Sequence, residues 1–580
     1  MATVCYLIGQ PVASFLVIKP KSSCSRFYLH RRVNSAQKAP SQAMSGNNES
    51  AAGKEHEEHA LGKMASIHQV PSHISADSRS VNERGNSDAS STRNGDIEKD
   101  AGSSLTKAEE NPEEEPERDP NIVDFDGPDD PEDPMNWSNT KKWGTVLLVS
   151  AITFLTPLAS SNFAPGVPEI MAEFHSTSRL LASFMVSVFV LGFAVGPLLI
   201  APLSEMYGRL PMYHACNLLF VIFTVAAAVS NSMAQFIIFR FLMGCWGGGP
   251  MVLGGGTIAD LIPHRHRGTA MGIWMMGVTI GPCVGPIIGG YLGEARGWRW
   301  NFWFVAIVAG AFFVISLIMM KETSPVIILE RKTKRLRAET GNDKLRSKLA
   351  SDMSTARLLK HSLIRPAKML FRSTICFALS LYVAITYAYL YILFTTFSVV
   401  YSEVYGWNGG NAGLAFVGIG VGSIIGQITY VRLGNYLVNK HIKRGDFKPE
   451  HRLYIMTMGG IWLPLGLFMY GWGTHYGVHY IVPQIATAFV GFGLLLIFMP
   501  ASTYLVDVYT VHAASAMTAM TVLRSLMAAF VPLSSRAMYD AMGYGWGNSL
   551  LGFVSLALVP IPFLFIKYGE GIRARSTVKL

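Results

Sequence analysis

Long apolar runs, separated by short polar segments, fill the chain from residue 143 onward. A run of 18 or more apolar residues is long enough to cross a lipid bilayer as an α-helix. We count twelve such runs, at 143–163, 180–201, 211–230, 234–258, 268–292, 301–320, 374–398, 411–431, 453–472, 480–504, 515–535 and 549–567. The pattern predicts an all-α membrane protein with two six-helix bundles, at 143–320 and 373–568, joined by a basic cytosolic loop at 321–372.

Residues 30–130 have a different composition, rich in Ser, Glu, Asn and Gly. Such a segment cannot bury enough apolar area to offset the entropy of folding, so we predict a disordered cytosolic tail at 1–135. The apolar stretch at 5–18 is short and lacks a preceding charged region, which disfavours a signal peptide. The last twelve residues, 569–580, are predicted to form a second cytosolic tail.

The distribution of Lys and Arg indicates the orientation. Cytosolic loops of membrane proteins are enriched in these residues. With the amino terminus inside, the internal loops hold most of them, and the outer loops hold only Arg179, Arg296, Arg299 and Arg536. Both termini are therefore predicted to be cytosolic. Because this topology accounts for most of the net charge of +10, we do not expect a nucleic-acid partner.

Metal or cofactor chemistry is not indicated by the reactive residues. The six cysteines include no CxxC pair, so neither a metal site nor a disulfide is expected. The histidines cluster in loops, at His264, His266, His475 and His479, and form no catalytic constellation within the apolar runs. The sequence therefore argues against a membrane-embedded enzyme.

The two sets of apolar runs are related by an internal repeat. Four residues of the first set have counterparts 230 positions later: Gly192, Gly196, Leu203 and Glu205 correspond to Gly422, Gly426, Leu433 and Asn435. In addition, a glycine precedes an aspartate by sixteen residues in each set, at Gly244 and Asp260 and at Gly491 and Asp507. Repeated six-helix halves with a site near the bilayer midplane are an architecture of transporters.

A loop after the second run carries the first family motif. The segment "APLSEMYGRLP" at 201–211 resembles the signature loop of the major facilitator superfamily, with Glu205, Gly208 and Arg209 at its acidic, glycine and basic positions. Ala201 and Met206 depart from that signature. The resemblance implies that Glu205 helps to lock a cytosolic gate by accepting from an arginine or a helix end. The alternative is a solvated loop charge.

The fourth run contains "RFLMG" at 240–244, which resembles the helix 4 motif of proton-coupled members. An arginine inside an apolar span is costly and is by default a functional hypothesis. Arg240 would either fix a positive charge near a carboxylate or orient the substrate. The alternative is that its side chain snorkels to the outer interface.

The fifth run, "MGVTIGPCVGPIIGGYL" at 275–291, resembles the GxxxGPxxGG pattern of drug:proton antiporters. Four residues turn a helix through 400°, so its glycines share one slowly drifting face that lets another helix approach closely. The prolines free backbone carbonyls and allow a bend, which suits alternating access. The alternative is close packing without an antiport role. The matching residues are Gly277, Gly281, Pro282, Gly285, Gly289 and Gly290.

Further segments narrow the resemblance to fungal twelve-span drug:proton antiporters over about residues 120–575, among them "GGGTIADL", "GWRWNFW" and "AASAMTAMTVLRS". This family implies a monomeric pump in the plasma membrane that exports small amphipathic molecules in exchange for protons. Its cargo would be xenobiotics such as antifungals, or a self-made metabolite or toxin. The remaining coupling or gating candidates are Asp260, Arg267 and Asp507.

Aromatic and polar residues within the apolar runs are candidates for the wall of the substrate cavity. Aromatic walls suit amphipathic guests, although a lipid-facing aromatic belt is an equal alternative for part of them. The candidates are Asn162, Tyr387, Tyr391, Phe394 and Arg524.

Other functions remain open from the sequence. An exporter of polyamines or other organic cations would need anionic residues in the cavity, and these are scarce in the apolar runs. A non-transporting nutrient sensor would carry a long structured carboxyl-terminal extension, whereas about a dozen residues follow the last run.

Overall fold

The computed structural model describes residues 121–349, except 128, and residues 355–575. Residues 1–120 of the tail predicted at 1–135 lie outside the described residues, as do 576–580 at the end of the chain. The amino-terminal half contains the helices α1 Asn139–Ser161, α2 Val167–Glu173, α3 Arg179–Tyr207, α4 Arg209–Ala228, α5 Met233–Leu261, α6 His264–Arg296 and α7 Arg299–Met319.

A connecting segment follows the first half. It comprises α8 Pro325–Thr340, the two-residue strand β2 Arg346–Ser347 and α9 Thr355–Arg372. The second half contains α10 Thr374–Tyr405, α11 Gly409–Ala412, α12 Val417–Arg444, α13 Leu453–His475, α14 Ile481–Tyr509, α15 Ala513–Phe530, α16 Ser535–Leu558 and α17 Pro560–Arg575. The strand that pairs with β2, β1 Ile122–Val123, precedes α1.

Within the described ranges, eleven helical segments are long and apolar enough to cross a membrane. The last of them, Ala513–Arg573, has 61 residues, whereas one crossing needs about 20. Gly543 interrupts it with a φ of 71°, a left-handed conformation that favours glycine. The two predicted runs at 515–535 and 549–567 lie on either side of this break. The long segment therefore supplies two crossings, and the predicted twelve-helix architecture is confirmed.

The internal repeat is visible in the helix packing. In the first half, α3 packs against α5 so closely that a Cβ at Gly192 would lie 2.4 Å from the backbone N of Cys245. In the second half, α12 packs against α14, and a Cβ at Gly422 would lie 1.8 Å from the carbonyl O of Ala488. The glycines matched in sequence thus make equivalent backbone contacts in the two halves.

Residues 121–136 differ from the predicted disordered tail. They form β1, which pairs in parallel with β2, and a 3₁₀ turn at Pro134–Asn136. We call residues 121–136 the acidic segment. Its Asp130 lies 3.3 Å from Lys332 Nζ of α8, and these two side chains are only 3% and 5% exposed. The prediction of disorder from composition is wrong for these residues. A basic helix about 200 residues later provides the oppositely charged partners that the segment itself lacks.

Hydrogen bonds fix the ionisation state of this buried pair. Burial opposes the charge on Asp130, but donors from the backbone of Asp126 and Glu132 and from Lys332 outweigh it, so the pKa of Asp130 lies below its ordinary value. Burial likewise opposes the charge on Lys332, but Asp126 and Asp130 raise the pKa of Lys332 above its ordinary value. Both groups are therefore charged at neutral pH.

Candidate functional site

The predicted signature loop forms a charged cluster where α3 meets α4. Arg209 Nε lies 3.3 Å from Asp260 Oδ2 at the end of α5. The backbone amides of Arg209 and Leu210 donate to Glu322 at 2.9 and 3.2 Å. Gly208 has a φ of 101°, and a Cβ there would lie 2.4 Å from Glu322 Oε2, so only glycine fits between the two helices. The cluster joins the ends of α3, α4, α5 and α7.

The acidic partner of Arg209 differs from the one suggested by the loop signature. Glu205 is exposed, and its carboxylate makes no hydrogen bond within the described part of the chain, so its interaction with Arg209 is electrostatic only. Asp260 and Glu322 instead supply the carboxylates. Arg267 lies next to them and donates to the carbonyls of Ala259 at 2.8 Å and Ile262 at 3.4 Å, at the carboxyl end of α5. Their role in gating stays a prediction.

The second half has a matching cluster. Arg452, directly before α13, donates from Nε to Asp507 Oδ2 of α14 at 2.5 Å. Arg573 of α17 lies 3.6 Å from the buried carboxylate of Glu450. Arg452 and Asp507 thus occupy the places of Arg209 and Asp260 in the other bundle. The repeat extends from glycine packing to paired charges at the same ends of the helices.

Arg240 is fully buried within the first bundle. Its Nη1 and Nη2 donate to the carbonyls of Ala159 and Ser160, each at 2.8 Å. These carbonyls belong to the last turn of α1, where no intrahelical donor remains and the helix dipole is negative. The guanidinium carbon also lies 4.3 and 4.6 Å from the ring centroids of Phe163 and Phe189. This placement disagrees with the snorkelling alternative, and no carboxylate contacts the group among the described residues.

The glycine face of α6 packs against α1. A Cβ at Gly281 would lie 2.9 Å from the carbonyl O of Phe154, and one at Gly289 would lie 1.5 Å from that of Asn162. Gly277 and Gly285 make further contacts with the same helix. Any side chain on this face would therefore push α1 and α6 apart. Whether the face serves coupling stays a prediction.

The prolines of α6 leave carbonyls without their helical donors. Pro286 has no N–H, so the carbonyl of Pro282 lacks its usual i+4 partner. Ser161 Oγ of α1 donates to that carbonyl at 3.0 Å. The helix interruption is thus compensated by the same helix that packs on the glycine face, as expected where no water is available.

A cavity of about 80 Å³ lies between the two bundles. Its walls come from α5 and α6 of the first half and from α10, α12, α14 and α15 of the second. The lining residues are Met251, Met275, Val278, Thr279, Pro282, Cys283, Tyr387, Leu390, Phe394, Ile419, Ser423, Leu494, Leu495, Phe498, Met499 and Arg524. Since ligand pockets typically measure about 300–1,000 Å³, this conformation has to expand to take a drug-sized guest.

Three of the predicted cavity residues, Tyr387, Phe394 and Arg524, line this cavity. Tyr391 lies behind them, with its ring centroid 5.4 Å from both Tyr387 and Phe394. Asn162 is placed elsewhere: it is buried at the end of α1 and donates to the carbonyl of Asn301 at 2.9 Å. Of the predicted gating residues, Pro282 also reaches the cavity wall.

Most of the cavity wall was not predicted. Most of the missed residues are apolar, such as Met251, Met275, Phe498 and Met499, and their sequence context does not separate them from lipid-facing positions. The glycine motif of α6 was the sequence feature that could have located part of the wall, because Val278, Thr279 and Cys283 lie on the same helix as that motif.

Contacts between the bundles close the side opposite to α8 and α9, which we predict to be the outer side. Glu294 at the end of α6 accepts from Asn408 Nδ2 at 2.7 Å and from the backbone N of Gly410 at 2.9 Å. Arg179 of α3 pairs with Asp540 of α16. The structure therefore represents a conformation that is closed at this side.

The family model described as "Major Facilitator Superfamily" matches residues 149–532. The chain belongs to the major facilitator superfamily. It is thus a multi-pass membrane transporter of small molecules rather than an enzyme. Among the described residues, no group of His, Cys, Asp and Glu is placed so that it could hold a metal ion.

Curated relatives of this superfamily protein are fungal transporters. It is 48% identical over 474 residues to the efflux pump radE of Floropilus chiversii, covering 81% of this chain and 88% of radE. It is 49% identical over 464 residues to the MFS-type transporter penM of Penicillium rubens, covering 79% and 91%.

Among solved structures, the xylose transporter XylE of E. coli in a partially occluded inward-open conformation matches with a TM-score of 0.55. The identity is 17%, and the match covers 74% of this chain and 98% of XylE. At this identity the similarity supports the fold alone.

Proposed function

We propose that this protein is a proton-coupled efflux pump that exports small amphipathic molecules across the plasma membrane by alternating access. The observation that carries the proposal is the cavity between the bundles, lined mainly by Met, Leu and aromatic side chains with a few polar groups. The name of the relative radE, an efflux pump, supports the direction of transport. The cargo would be a toxic xenobiotic or a metabolite made by the cell itself.

Alternating access is supported by the arrangement of contacts around the cavity. The bundles are joined at the predicted outer side by Glu294 and by the Arg179–Asp540 pair. At the predicted cytosolic side, the pairs Arg209–Asp260 and Arg452–Asp507 each lie within one bundle. Rocking the bundles about the cavity would open the outer contacts while leaving each cytosolic cluster intact.

Proton coupling is supported by the glycine–proline motif of drug:proton antiporters on α6. The free energy available from proton entry is also sufficient. Two pH units contribute about 2.7 kcal/mol and 100 mV about 2.3 kcal/mol for each proton. One entering proton would sustain a cargo gradient of three to four decades, at about 1.4 kcal/mol per decade. We further propose that both termini are cytosolic and that one chain suffices for transport, since the cavity is built entirely from one chain.

The alternative cargo class, polyamines or other organic cations, receives less support. A site for such cations would place carboxylates around the guest, and none of the described residues that line the cavity is Asp or Glu.

Transport into inside-out vesicles tests the proposal. Vesicles from cells that produce the protein should accumulate fluorescent dyes or antifungals when their lumen is acidified, and an uncoupler should abolish that uptake. Vesicles from cells without the protein are the control. Uptake that an uncoupler leaves unchanged would contradict proton coupling, and no uptake of any compound in a panel of dyes, antifungals and polyamines would contradict efflux itself.

A further inference from the structure

The cavity between the bundles contains an arginine whose charge has no counterpart there. Arg524 lies eleven residues into α15, about 16 Å along the helix and hence near the middle of the membrane. Its Nε is buried without a hydrogen-bond partner. No ion pair or hydrogen bond of its guanidinium is found among the described residues, and no carboxylate belongs to the described cavity wall.

From this we infer that the cargo is an amphipathic anion, an apolar body with one carboxylate or comparably acidic group, which Arg524 binds as its counter-charge. The inference rests on the proposed export function and adds the chemical class of the cargo.

Aromatic rings are the present neighbours of Arg524. Its guanidinium carbon lies 4.5 Å from the ring centroid of Tyr387 and 5.0 Å from that of Phe498. Cation–π contacts of this kind partly offset the cost of a desolvated guanidinium but satisfy none of its N–H donors. A carboxylate accepts two of these donors in the planar fork geometry that arginine provides. An anion entering the cavity would thus complete a site that the protein leaves open.

Arg240, in contrast, is a buried arginine whose N–H donors have hydrogen-bond acceptors. It donates to two carbonyls of α1 at 2.8 Å and lies outside the cavity wall. Both arginines contact aromatic rings, but only Arg524 faces the space between the bundles. The difference assigns a structural role to the contacts of Arg240 and a ligand-binding role to Arg524.

The rest of the wall specifies the body of the cargo. Met251, Met275 and Met499 provide flexible, polarisable side chains that adapt to different shapes. Phe394 and Phe498 provide flat apolar surfaces. Thr279, a polar group of the wall, already donates within its own helix to the carbonyl of Met275 at 3.1 Å. The wall therefore favours an aromatic or alkyl body that carries few polar groups besides the anion.

Binding of matched probes to the purified full-length protein tests this inference. We would use three naphthalene compounds with the same propyl chain, ending in a carboxylate, a hydroxyl or an ammonium group, and measure each Kd by equilibrium dialysis at pH 7. The wild type should bind the carboxylate at least tenfold more tightly than the alcohol, and the ammonium compound most weakly. Arg524→Gln should bind carboxylate and alcohol equally, whereas Arg524→Lys should keep a reduced preference for the carboxylate.

Arg432→Gln is the matched control, because Arg432 is an exposed arginine of α12 outside the cavity wall; it should behave as the wild type. Equal binding of carboxylate and alcohol by the wild type, tighter binding of the ammonium compound, or a retained carboxylate preference in Arg524→Gln would each overturn the inference. The Kd values of the wild type for the three probes test the inference even if a variant fails to fold. Export of the alcohol without preference for the carboxylate would contradict only the inference that the cargo is an anion. Export of none of the probes would contradict the proposed efflux function.

Discussion

At the scale of single residues, Arg240 shows how a full charge is held inside an apolar bundle. Its counterparts include two backbone carbonyls at the negative end of α1, a more distant third carbonyl on α3, and three phenyl rings. A carbonyl left without a donor in a buried site costs about 1–3 kcal/mol. The side chain therefore fixes the end of α1, the helix on which the glycine face of α6 packs.

Replacement of Arg240 should damage both the fold and transport. Arg240→Ala should abolish almost all uncoupler-sensitive efflux and lower the thermal unfolding temperature, because both carbonyls lose their donor. Arg240→Lys should keep part of the activity, since one ammonium reaches one carbonyl but cannot reproduce the fork. Dye efflux and thermal unfolding of the purified variants measure the two effects, with the exposed Arg432→Ala as control.

Efflux and stability in Arg240→Ala equal to those of the wild type would show that α1 ends without this cap. Loss of efflux with unchanged stability would instead favour the coupling role implied by the family motif.

At this scale the sequence indicates which charged residues lie in apolar runs, but not every distant residue that contacts them. Arg240 and Arg524 were identified because charges in apolar runs are conspicuous. Asp260, which pairs with Arg209, was among the predicted gating residues, but Glu322 was not, because it contacts the backbone of Arg209 from 113 residues away. Nothing local distinguishes Glu322 from other acidic residues near helix ends, whereas Glu205 lies within the motif itself.

At the scale of elements, substitutions on the glycine face of α6 test whether close packing against α1 is needed for transport. The predicted clash differs in severity from one glycine to the next. A methyl group on Gly289 would lie 1.5 Å from a backbone oxygen of α1, and one on Gly277 would lie 3.2 Å from its nearest neighbour. Gly289→Ala should reduce efflux at least tenfold, because overpacking against backbone costs about 1–3 kcal/mol or more and separates the helices. Gly277→Ala should have a smaller effect. Efflux per unit of folded protein is the measurement.

The same helix provides the control. Gly272 has no atom within 4 Å of its hypothetical Cβ, so Gly272→Ala should leave efflux unchanged and gain up to about 1 kcal/mol of helix propensity. Equal efflux by Gly289→Ala and Gly272→Ala would show that close approach of α1 and α6 is unnecessary for transport.

A second element-scale prediction concerns the acidic segment and α8. Lys332 lies 2.7 Å from Asp126 and 3.3 Å from Asp130, and removal of one partner from a buried pair typically costs about 3–5 kcal/mol. Lys332→Met should therefore release residues 121–136, seen as fast hydrogen exchange of the amide of Lys348, which donates to Val123 at 3.0 Å. Lys334→Met is the control, because Lys334 is 69% exposed. Slow exchange at Lys348 in Lys332→Met would contradict the role of this pair.

The elements themselves were largely predictable, because the hydrophobic length of a membrane crossing is set by the bilayer. Eleven of the twelve predicted runs each overlap one long observed helix, and the twelfth, 549–567, covers the end of α16 and the start of α17. The repeat in glycine spacing reappears as repeated packing. The acidic segment was not predictable from its composition, since its order depends on Lys332 and on the strand β2 far along the chain.

At the scale of the whole molecule, closure of the predicted outer side depends on few polar contacts. Glu294→Gln should weaken the contacts to Asn408 and Gly410 and shift the population toward an outward-open form. We expect faster labelling of Ser398→Cys by a membrane-impermeant maleimide, because Ser398 lines the recess of about 360 Å³ next to Glu294. Glu169→Gln is the control, since Glu169 lines the same recess but is exposed and makes no bundle-to-bundle hydrogen bond within the described chain. Equal labelling rates in the two variants would contradict the closure role of Glu294.

The charge of the cargo determines how the membrane potential acts on the whole transport cycle. Export of an anion moves the same net charge as import of a cation, so it adds one charge to those carried by the protons, whatever their number. One charge is worth about 2.3 kcal/mol per 100 mV, or roughly a 50-fold change in the accumulation ratio. In proteoliposomes with a clamped potential and no pH gradient, the accumulation of the carboxylate probe should therefore rise more steeply with potential than that of the alcohol, by this factor per 100 mV. The Arg524→Gln variant, measured with the alcohol alone, should show the slope of the wild type, because protons carry all of the charge in that case. Equal slopes for the two probes in the wild type would mean that the carboxylate crosses in its protonated, neutral form, and the cycle would then gain nothing from the anion.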